Sequence, residues 1–491
     1  MDSPLNSLLQ GHPWTEQICS GGWRPGRGPV LAVVEPATGE QLTTTGSASA
    51  QDVADATVIA AVAQSTWSRA LAPARAAVLR RCADLLIEHL QEIKLWLVRE
   101  TGSVHAKAEW EIRGAAADFL NAAALLNEPA GALLSPRTPG QWSVARRMPV
   151  GVVGVITPWN SPLVLASRVV APALAMGNAV LLKPDVHTPV SGGAVLALAL
   201  QRAGLPEGLL HVLVGGAEAG EALCTAPAVA KISFTGSTAT GRRVAALAGQ
   251  HLKRVSLELG GNNAFVVMAD ADVETAARAA AFGSYFHQGQ ICFSIGRHLV
   301  DASIHDAYVE ALQGHARRLV TGNPLDTTTQ VGPLINARQR DRVDRIVRSS
   351  LEQGARLVTG GTYDGLVYAP TVLTSVTESM PAFAEEIFGP VAAVTAFSTE
   401  EEMLRLANAS PYGLVAAVQT RGLDKGLALA DQFRVGIVHV NDQTIVRGGD
   451  APVGGEGHSG NGGRAGHLVN ADEWSSWQWV TVRAPGGEYA W

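Results

Sequence analysis

The chain has 491 residues, more than one hydrophobic core usually serves, so two or three domains are expected. Apolar residues make up 47%, charged residues 17% and aromatics 5%, a balance that suits tightly packed helix–sheet layers and excludes disorder. The formal net charge is −6 with no long basic run, which argues against a nucleic-acid partner.

In chain order, a Gly-, Pro- and Thr-rich segment to about residue 50 reads as short strands and turns. Helical stretches follow at 50–70 and 74–100, the second carrying Leu79, Leu85, Leu86, Leu90, Ile93 and Leu97 at helical spacing; a third contains Trp110 and Leu120. From residue 150 strands and helices alternate: strand Val152–Ile156, helix 163–176, strand 179–182, helix 192–203, then strands at 210–213, 231–234 and 254–257. A second set runs through strand 264–267, helix 273–283, strand 298–300 and helix 307–319, and later helices near 337–353 and 400–407 and strands 415–419 and 437–440. This rhythm predicts βαβ units with parallel sheets. The run from Trp474 to Arg483 alternates like a strand and needs a sheet to join, which makes pairing with another subunit plausible. The apolar stretch from Val150 to Leu182 is interrupted by Pro158, Asn160, Pro162, Arg168 and Pro172, so no membrane span is expected. Cys19, Cys82, Cys224 and Cys292 show neither metal nor disulfide spacing, and no secretory signal is visible; a reducing, cytoplasmic setting is expected.

Candidate chemistry gathers at strand ends, where open α/β sheets bind ligands. Cys292 lies in His287-Gln-Gly-Gln-Ile-Cys292, where Gly289 and small polar groups are expected to thin the packing around a nucleophilic sulfur; a buried, inert Cys is the other reading. In Thr157-Pro158-Trp159-Asn160 the Asn160 amide either donates to a developing oxyanion or caps the next helix. Lys183-Pro184-Asp185 places a cation where phosphate or ribose hydroxyls would sit, or in a solvated loop. Phe234-Thr-Gly-Ser-Thr-Ala-Thr-Gly241 leads into a helix N-terminus fit for a pyrophosphate or simply capped; Arg242-Arg243 excludes a P-loop. Glu258, among leucines and before Gly260-Gly261, is either a carboxyl of raised pKa able to take a proton from water or half of an ion pair.

Together with Glu35-Pro36-Ala37-Thr38-Gly39, Glu385-Glu386-Ile387-Phe388-Gly389-Pro390, Pro452-Val453-Gly454-Gly455 and Ser459-Gly460, these motifs resemble the aldehyde dehydrogenase superfamily over nearly the whole chain. Lys183-Pro184-Asp185 and the Cys292 run are similar to its benzaldehyde and vanillin dehydrogenase branch. The resemblance implies an α/β fold. A Rossmann-type parallel-sheet domain would bind NAD(P) over 1–257, with an arm at about 130–149. A catalytic α/β domain would follow over 258–440, then a return segment and oligomerisation strand over 441–491. It implies Cys292 as nucleophile, Asn160 and the Cys292 N–H as oxyanion donors, and Glu258 as hydrolytic base. It implies a NAD or NADP site from Ile156, Trp159, Lys183, Gly236, Ser237, Glu386 and Phe388. The expected activity is oxidation of a small, aromatic aldehyde to its acid by a homodimer or homotetramer.

The sequence departs from the family pattern at Val186, where many NAD-dependent members carry a Glu, so NADP use stays open. Ser161 replaces a bulky aromatic, and Val453 a Phe, which widens the expected channel of Ser161, Leu165, His287, Ile291, Phe293, Ile445 and Arg447. Arg447 either attracts an acidic or phenolate-bearing substrate or is an exposed structural arginine. Competing readings are an aliphatic or semialdehyde dehydrogenase, a coenzyme A-acylating enzyme, against which Glu258 speaks, and a non-catalytic protein on the same scaffold.

Overall fold

The structure is a computed structural model and describes residues 7–446 and 448–484. Two seven-stranded sheets dominate it. The first has the order Arg254–Glu258, Val229–Thr235, Val152–Ile156, Ala179–Lys183, Leu210–Val212, Gln17–Cys19, Trp23–Pro25; the first five strands are parallel and the last two antiparallel. Its central strands read Val-Val-Gly-Val-Ile and Ala-Val-Leu-Leu-Lys, near-continuous apolar runs, as expected where helices cover both faces. The second sheet orders Arg356–Thr359, Thr371–Thr374, Val391–Phe397, Ile295–Asp301, Asn263–Val267, Val415–Gln419, Ile437–Val440 and is parallel except at its first pair. One apolar core draws on residues up to Leu259 and on Trp474, while two others lie between Ala264 and Phe433. The chain therefore leaves one core and enters the next through Gly260-Gly261-Asn262-Asn263.

The expected 74–100 helix is two helices, Ala72–Glu88 and Leu90–Thr101, that share His89 as a cap with non-helical backbone. The expected 192–203 helix opens with a wide π turn, Val190–Ala194, in which Gly192 and Gly193 lie close against Pro162, Pro184 and Val212. A Cβ at Gly193 would meet Val212 at 2.5 Å. The interior strand Val391–Phe397 has no counterpart in the sequence reading.

The terminal strand corrects an expectation. Ser475–Val482 does not need another subunit to find a sheet: it pairs antiparallel with Trp142–Pro149 of its own chain, from Ser475 opposite Pro149 to Val482 opposite Trp142. Gly131–Leu134 completes the small three-stranded sheet. Among the described residues no helix is long and apolar enough to cross a membrane.

Candidate active site

Cys292 follows a loop that is constrained rather than thinly packed, contrary to the expectation from its small residues. His287, Gln288 and Gly289 have φ of +52°, +56° and +68°, three successive left-handed residues of which only the glycine is at ease there. Gln288 Nε2 ties the turn down by donating to Gly102 O and Pro333 O, both at 2.8 Å, and Gln290 Oε1 accepts from Ile335 N at 3.1 Å. On the far side Asn263 Nδ2 donates to Cys292 O and Ser294 O, both at 2.7 Å. The backbone on both sides of the sulfur is thus fixed, and the half-buried Cys292 side chain opens onto a cleft.

Asn160 lies across that cleft, buried, with Nδ2 donating to Gln290 O at 2.8 Å. An amide carries two N–H groups, so one stays available for an oxyanion. The cap reading fails here: Ser161 is the residue before helix Pro162–Ala175, and no side chain caps that end. The helix start is held instead by a fully buried Lys107–Glu111 ion pair. Lys107 Nζ donates to Asn160 O at 2.8 Å, and Glu111 Oε1 accepts from Leu163 N at 2.8 Å and Val164 N at 3.3 Å. Nothing in the sequence reading marked this pair.

Glu258 ends the edge strand of the first sheet, and its backbone bridges to Gly460. Burial pushes its carboxyl up to about 8, with Arg168 and Arg464 opposing the rise. No ion pair forms at Glu258 among the described residues, which removes the paired-carboxylate reading. Glu386 is raised to about 7, again by burial, against the Gly261 N–H that donates to it at 2.9 Å. Both glycines are required by this packing. A Cβ at Gly260 would stand 2.3 Å from Glu386 Oε2, and one at Gly261 would stand 2.6 Å from Cys292 O. Ser459 Oγ braces the turn by donating to Gly260 O at 2.7 Å, which accounts for the Ser459-Gly460 motif. Burial, with these two carboxylates adding to it, pushes the Cys292 thiol up to about 12; Arg168 works in the opposite direction.

The strand ends of the first sheet form a second, more polar region. Lys183 is half-buried, its ammonium makes no hydrogen bond with any described side chain, and burial lowers its pKa while the Asp185 charge opposes the fall. Gly220 lies beside its Cε and Ile156 Cδ1, at 3.6 and 3.8 Å from where a Cβ would be. Ser237 caps helix Thr238–Gln250, accepting from Thr240 N, and the first N–H groups of the helix have no acceptor within it. Trp159 and Phe388 meet edge to face at 5.6 Å. An unpartnered lysine, a helix N-terminus and a carboxylate beside an aromatic pair fit the ribose, pyrophosphate and nicotinamide parts of NAD or NADP. At the departure from the family pattern, Val186 packs on the core, and His187 Nδ1 bonds Asp185 Oδ1 at 2.7 Å.

The cleft at Cys292, about 510 Å³ of space, is lined by Asn160, Ser161, Leu165, Ile291, Phe293 and Ile445, as expected, together with Trp110, Val164, Arg168, Val446, Gly448 and Val453. His287 is a correction. It is fully buried behind the loop, with Ser103 Oγ 3.4 Å from Nδ1, and burial holds its imidazole well below the usual range, so it does not line the channel. Arg447 lies outside the described residues. Among the lining residues that the sequence reading missed, Trp110 and Arg168 carry the most distinctive chemistry. Trp110 had the signal of an aromatic on a helix preceding the parallel strands of the first sheet, and Arg168 that of a charge inside an apolar helix.

A dinucleotide-type cleft at the strand ends of one sheet, joined through Gly260-Gly261 to a cysteine on a strained loop, defines the class as an α/β oxidoreductase with a thiol at its centre. The chain belongs to the aldehyde dehydrogenase family, whose sequence profile matches residues 23–480. It is 49% identical to a vanillin dehydrogenase of an Amycolatopsis species, covering 98% of this chain and 99% of that one. It is 45% identical to a benzaldehyde dehydrogenase [NAD(+)] of Pseudomonas putida over 96% of each. A betaine aldehyde dehydrogenase from Staphylococcus aureus, solved with NAD+, superposes with a TM-score of 0.94 at 31% identity, covering 99% of this chain and 97% of that one. The chain is accordingly an NAD(P)-dependent aldehyde oxidoreductase.

Proposed function

We propose that this enzyme oxidises aromatic aldehydes, benzaldehyde- or vanillin-like, to carboxylic acids through a covalent adduct on Cys292. The observation that carries the reading is the composition of one cleft: Cys292 and Asn160 share it with Trp110, Phe293, Leu165 and Ile445, apolar and aromatic walls suited to a flat ring. The names of the vanillin and benzaldehyde dehydrogenases to which the chain is similar support it.

The geometry supports the following roles. Cys292 Sγ attacks the carbonyl carbon as its thiol proton passes to solvent. The free N–H of the Asn160 amide and the Cys292 backbone N–H stabilise the alkoxide, each such donor contributing roughly 3 kcal/mol. When bound, the oxidised nicotinamide supplies the hydride acceptor and a positive charge. Lys183 would hold the adenosine ribose, Gly236 and Ser237 the pyrophosphate, and Glu386 the nicotinamide ribose, with Ile156, Trp159 and Phe388 packed along the ring side. The acyl group left on Cys292 is released by water whose proton goes to Glu258. Burial favours the protonated form of Glu258 near neutral pH, so base is supplied by its ionised fraction without a permanently charged carboxylate near the sulfur.

Residues 1–257 act as the cofactor-binding unit and 258–440 as the catalytic unit, in a cytoplasmic homodimer or homotetramer. The oligomer reading is supported by the small sheet, whose strands leave Trp142, Trp477, Trp479 and Leu133 more than half exposed. Purified enzyme should reduce NAD+ or NADP+ with benzaldehyde and vanillin at kcat/KM values at least about tenfold above a medium-chain aliphatic aldehyde. Preference for the aliphatic substrate would refute the aromatic assignment, and a monomer by ultracentrifugation would refute the assembly.

A further inference from the structure

Helix Pro162–Ala175 begins just after Asn160 and turns one face to the cleft: Ser161, Val164, Leu165 and Arg168, spaced i, i+3, i+4 and i+7, all line it. Three of these are small or apolar. The fourth is a guanidinium, half-buried, that makes no hydrogen bond or ion pair with any described residue. A buried cation is ordinarily paired, and the contrast within this chain is direct: Arg297 spends its donors on the carbonyls of Asn262, Leu406 and Ala407 at 2.7–3.0 Å. Arg168 also lines an adjoining recess with Asp118, Asn121, Gly448, Gly449 and Asn470, so it stands where the apolar cleft meets a polar one. The Asp118 carboxylate in that recess accepts from Ser167 Oγ at 2.8 Å and forms no ion pair with Arg168.

Helical side chains lean toward the N-terminus of their helix, which here carries the guanidinium toward the Asn160 end. The cleft then has a reactive sulfur and an oxyanion donor at one end, apolar walls along its length, and a planar, unpaired cation on its side. We propose that Arg168 is a specificity-determining residue that selects aldehydes whose aromatic ring carries an anionic oxygen, a phenolate or a carboxylate, remote from the carbonyl. A guanidinium meets such an oxygen with short, charge-assisted hydrogen bonds and offers a planar face to the ring. The inference rests on the aromatic-aldehyde reading above and deepens it. Its rival is a substrate-independent role, in which Arg168 serves only as a positive charge near Cys292 and Glu258.

The test compares wild type with Arg168→Gln and Arg168→Lys on 4-carboxybenzaldehyde, 4-hydroxybenzaldehyde at a pH where it is ionised, benzaldehyde, and the neutral methyl 4-formylbenzoate. Folding of each variant is checked by cofactor binding. Loss of a charge-assisted bond should lower kcat/KM of Arg168→Gln for an anionic substrate by about 10- to 100-fold, mainly through KM. The two neutral aldehydes should lose only the smaller, common factor by which the Arg168 charge acts on Cys292 and Glu258, and Arg168→Lys should recover part of the selective loss. A selective loss in either anionic arm supports the proposal and names the anion. An equal loss on all four substrates, or none on the anionic ones, overturns it while leaving the aromatic reading standing. Wild type inactive on every aromatic aldehyde overturns both.

Discussion

The two sides of Cys292 are built differently. The cofactor side consists of strand ends and turns: Lys183 closes one strand, Ser237 caps one helix, and Gly260-Gly261 lets Glu386 approach the backbone. The substrate side consists of single side chains from distant segments: Trp110 from one helix, Val164, Leu165 and Arg168 from another, Phe293, and Ile445, Val446 and Val453 from the returning chain. Recognition by backbone needs contiguous residues of fixed type, whereas recognition by shape needs only that separate surfaces converge. The division predicts that substitutions on one side should leave binding on the other unchanged.

That separation can be broken or sharpened by measurement. The largest effect belongs to the residue the two sides share. Cys292→Ala should lower turnover by at least about 10⁴-fold while the dissociation constant for NAD+, followed by fluorescence, stays within about threefold. Glu258→Gln comes next, with steady-state turnover reduced by about 10²- to 10⁴-fold. Asn160→Ala should cost about 10²- to 10³-fold in kcat with a smaller change in KM for aldehyde, since the amide is assigned to the alkoxide rather than to the ground state. Smaller and one-sided effects should follow from Lys183→Ala, which raises the cofactor KM about tenfold, and Leu165→Ala, which weakens aldehyde binding alone. If Lys183→Ala changes aldehyde selectivity, the two sides are coupled and the division fails.

The smallest effect concerns stability. Glu258 is raised from 4.5 to about 8, so between those values the folded protein keeps a proton that the unfolded chain releases. Its contribution to stability is fully present below about 4.5 and falls as pH rises through about 8. Glu258→Gln removes that decline, and its melting temperature relative to wild type should be higher at pH 8 than at pH 5 by about 2 °C. A difference of opposite sign would show that Glu258 is ionised and paired in the folded state.

The same contrast explains how much of the molecule was readable from sequence. Strands such as Val152–Ile156 announce themselves because a buried parallel strand needs an apolar run, and Lys183, Ser237 and Glu258 fall at the ends of such runs. Val391–Phe397 escaped notice although it is central, since its alanines and threonine follow Gly389-Pro390, itself a turn signal. His287 was misplaced because neighbouring Cys292 in sequence suggested neighbouring it in the channel. Three left-handed residues turn its ring away, and left-handed backbone at His and Gln has no composition signature. Trp110 and Arg168 were not assigned to the cleft because only the packing of helices His105–Leu125 and Pro162–Ala175 against each other brings them there. The terminal strand was legible as a strand, but its partner was not, because Trp142–Pro149 lies more than 300 residues upstream.

The central claim is that substrate carbon bonds to Cys292 Sγ before it leaves as acid, and intact-mass spectrometry with peptide mapping tests it most directly. Glu258→Gln, mixed with NAD+ and benzaldehyde and quenched after the first turnover, should release about one equivalent of NADH and retain a benzoyl group on the Cys292 peptide. NADH formation with an unmodified Cys292 peptide, at times when the hydrolytic step is blocked, would contradict the account.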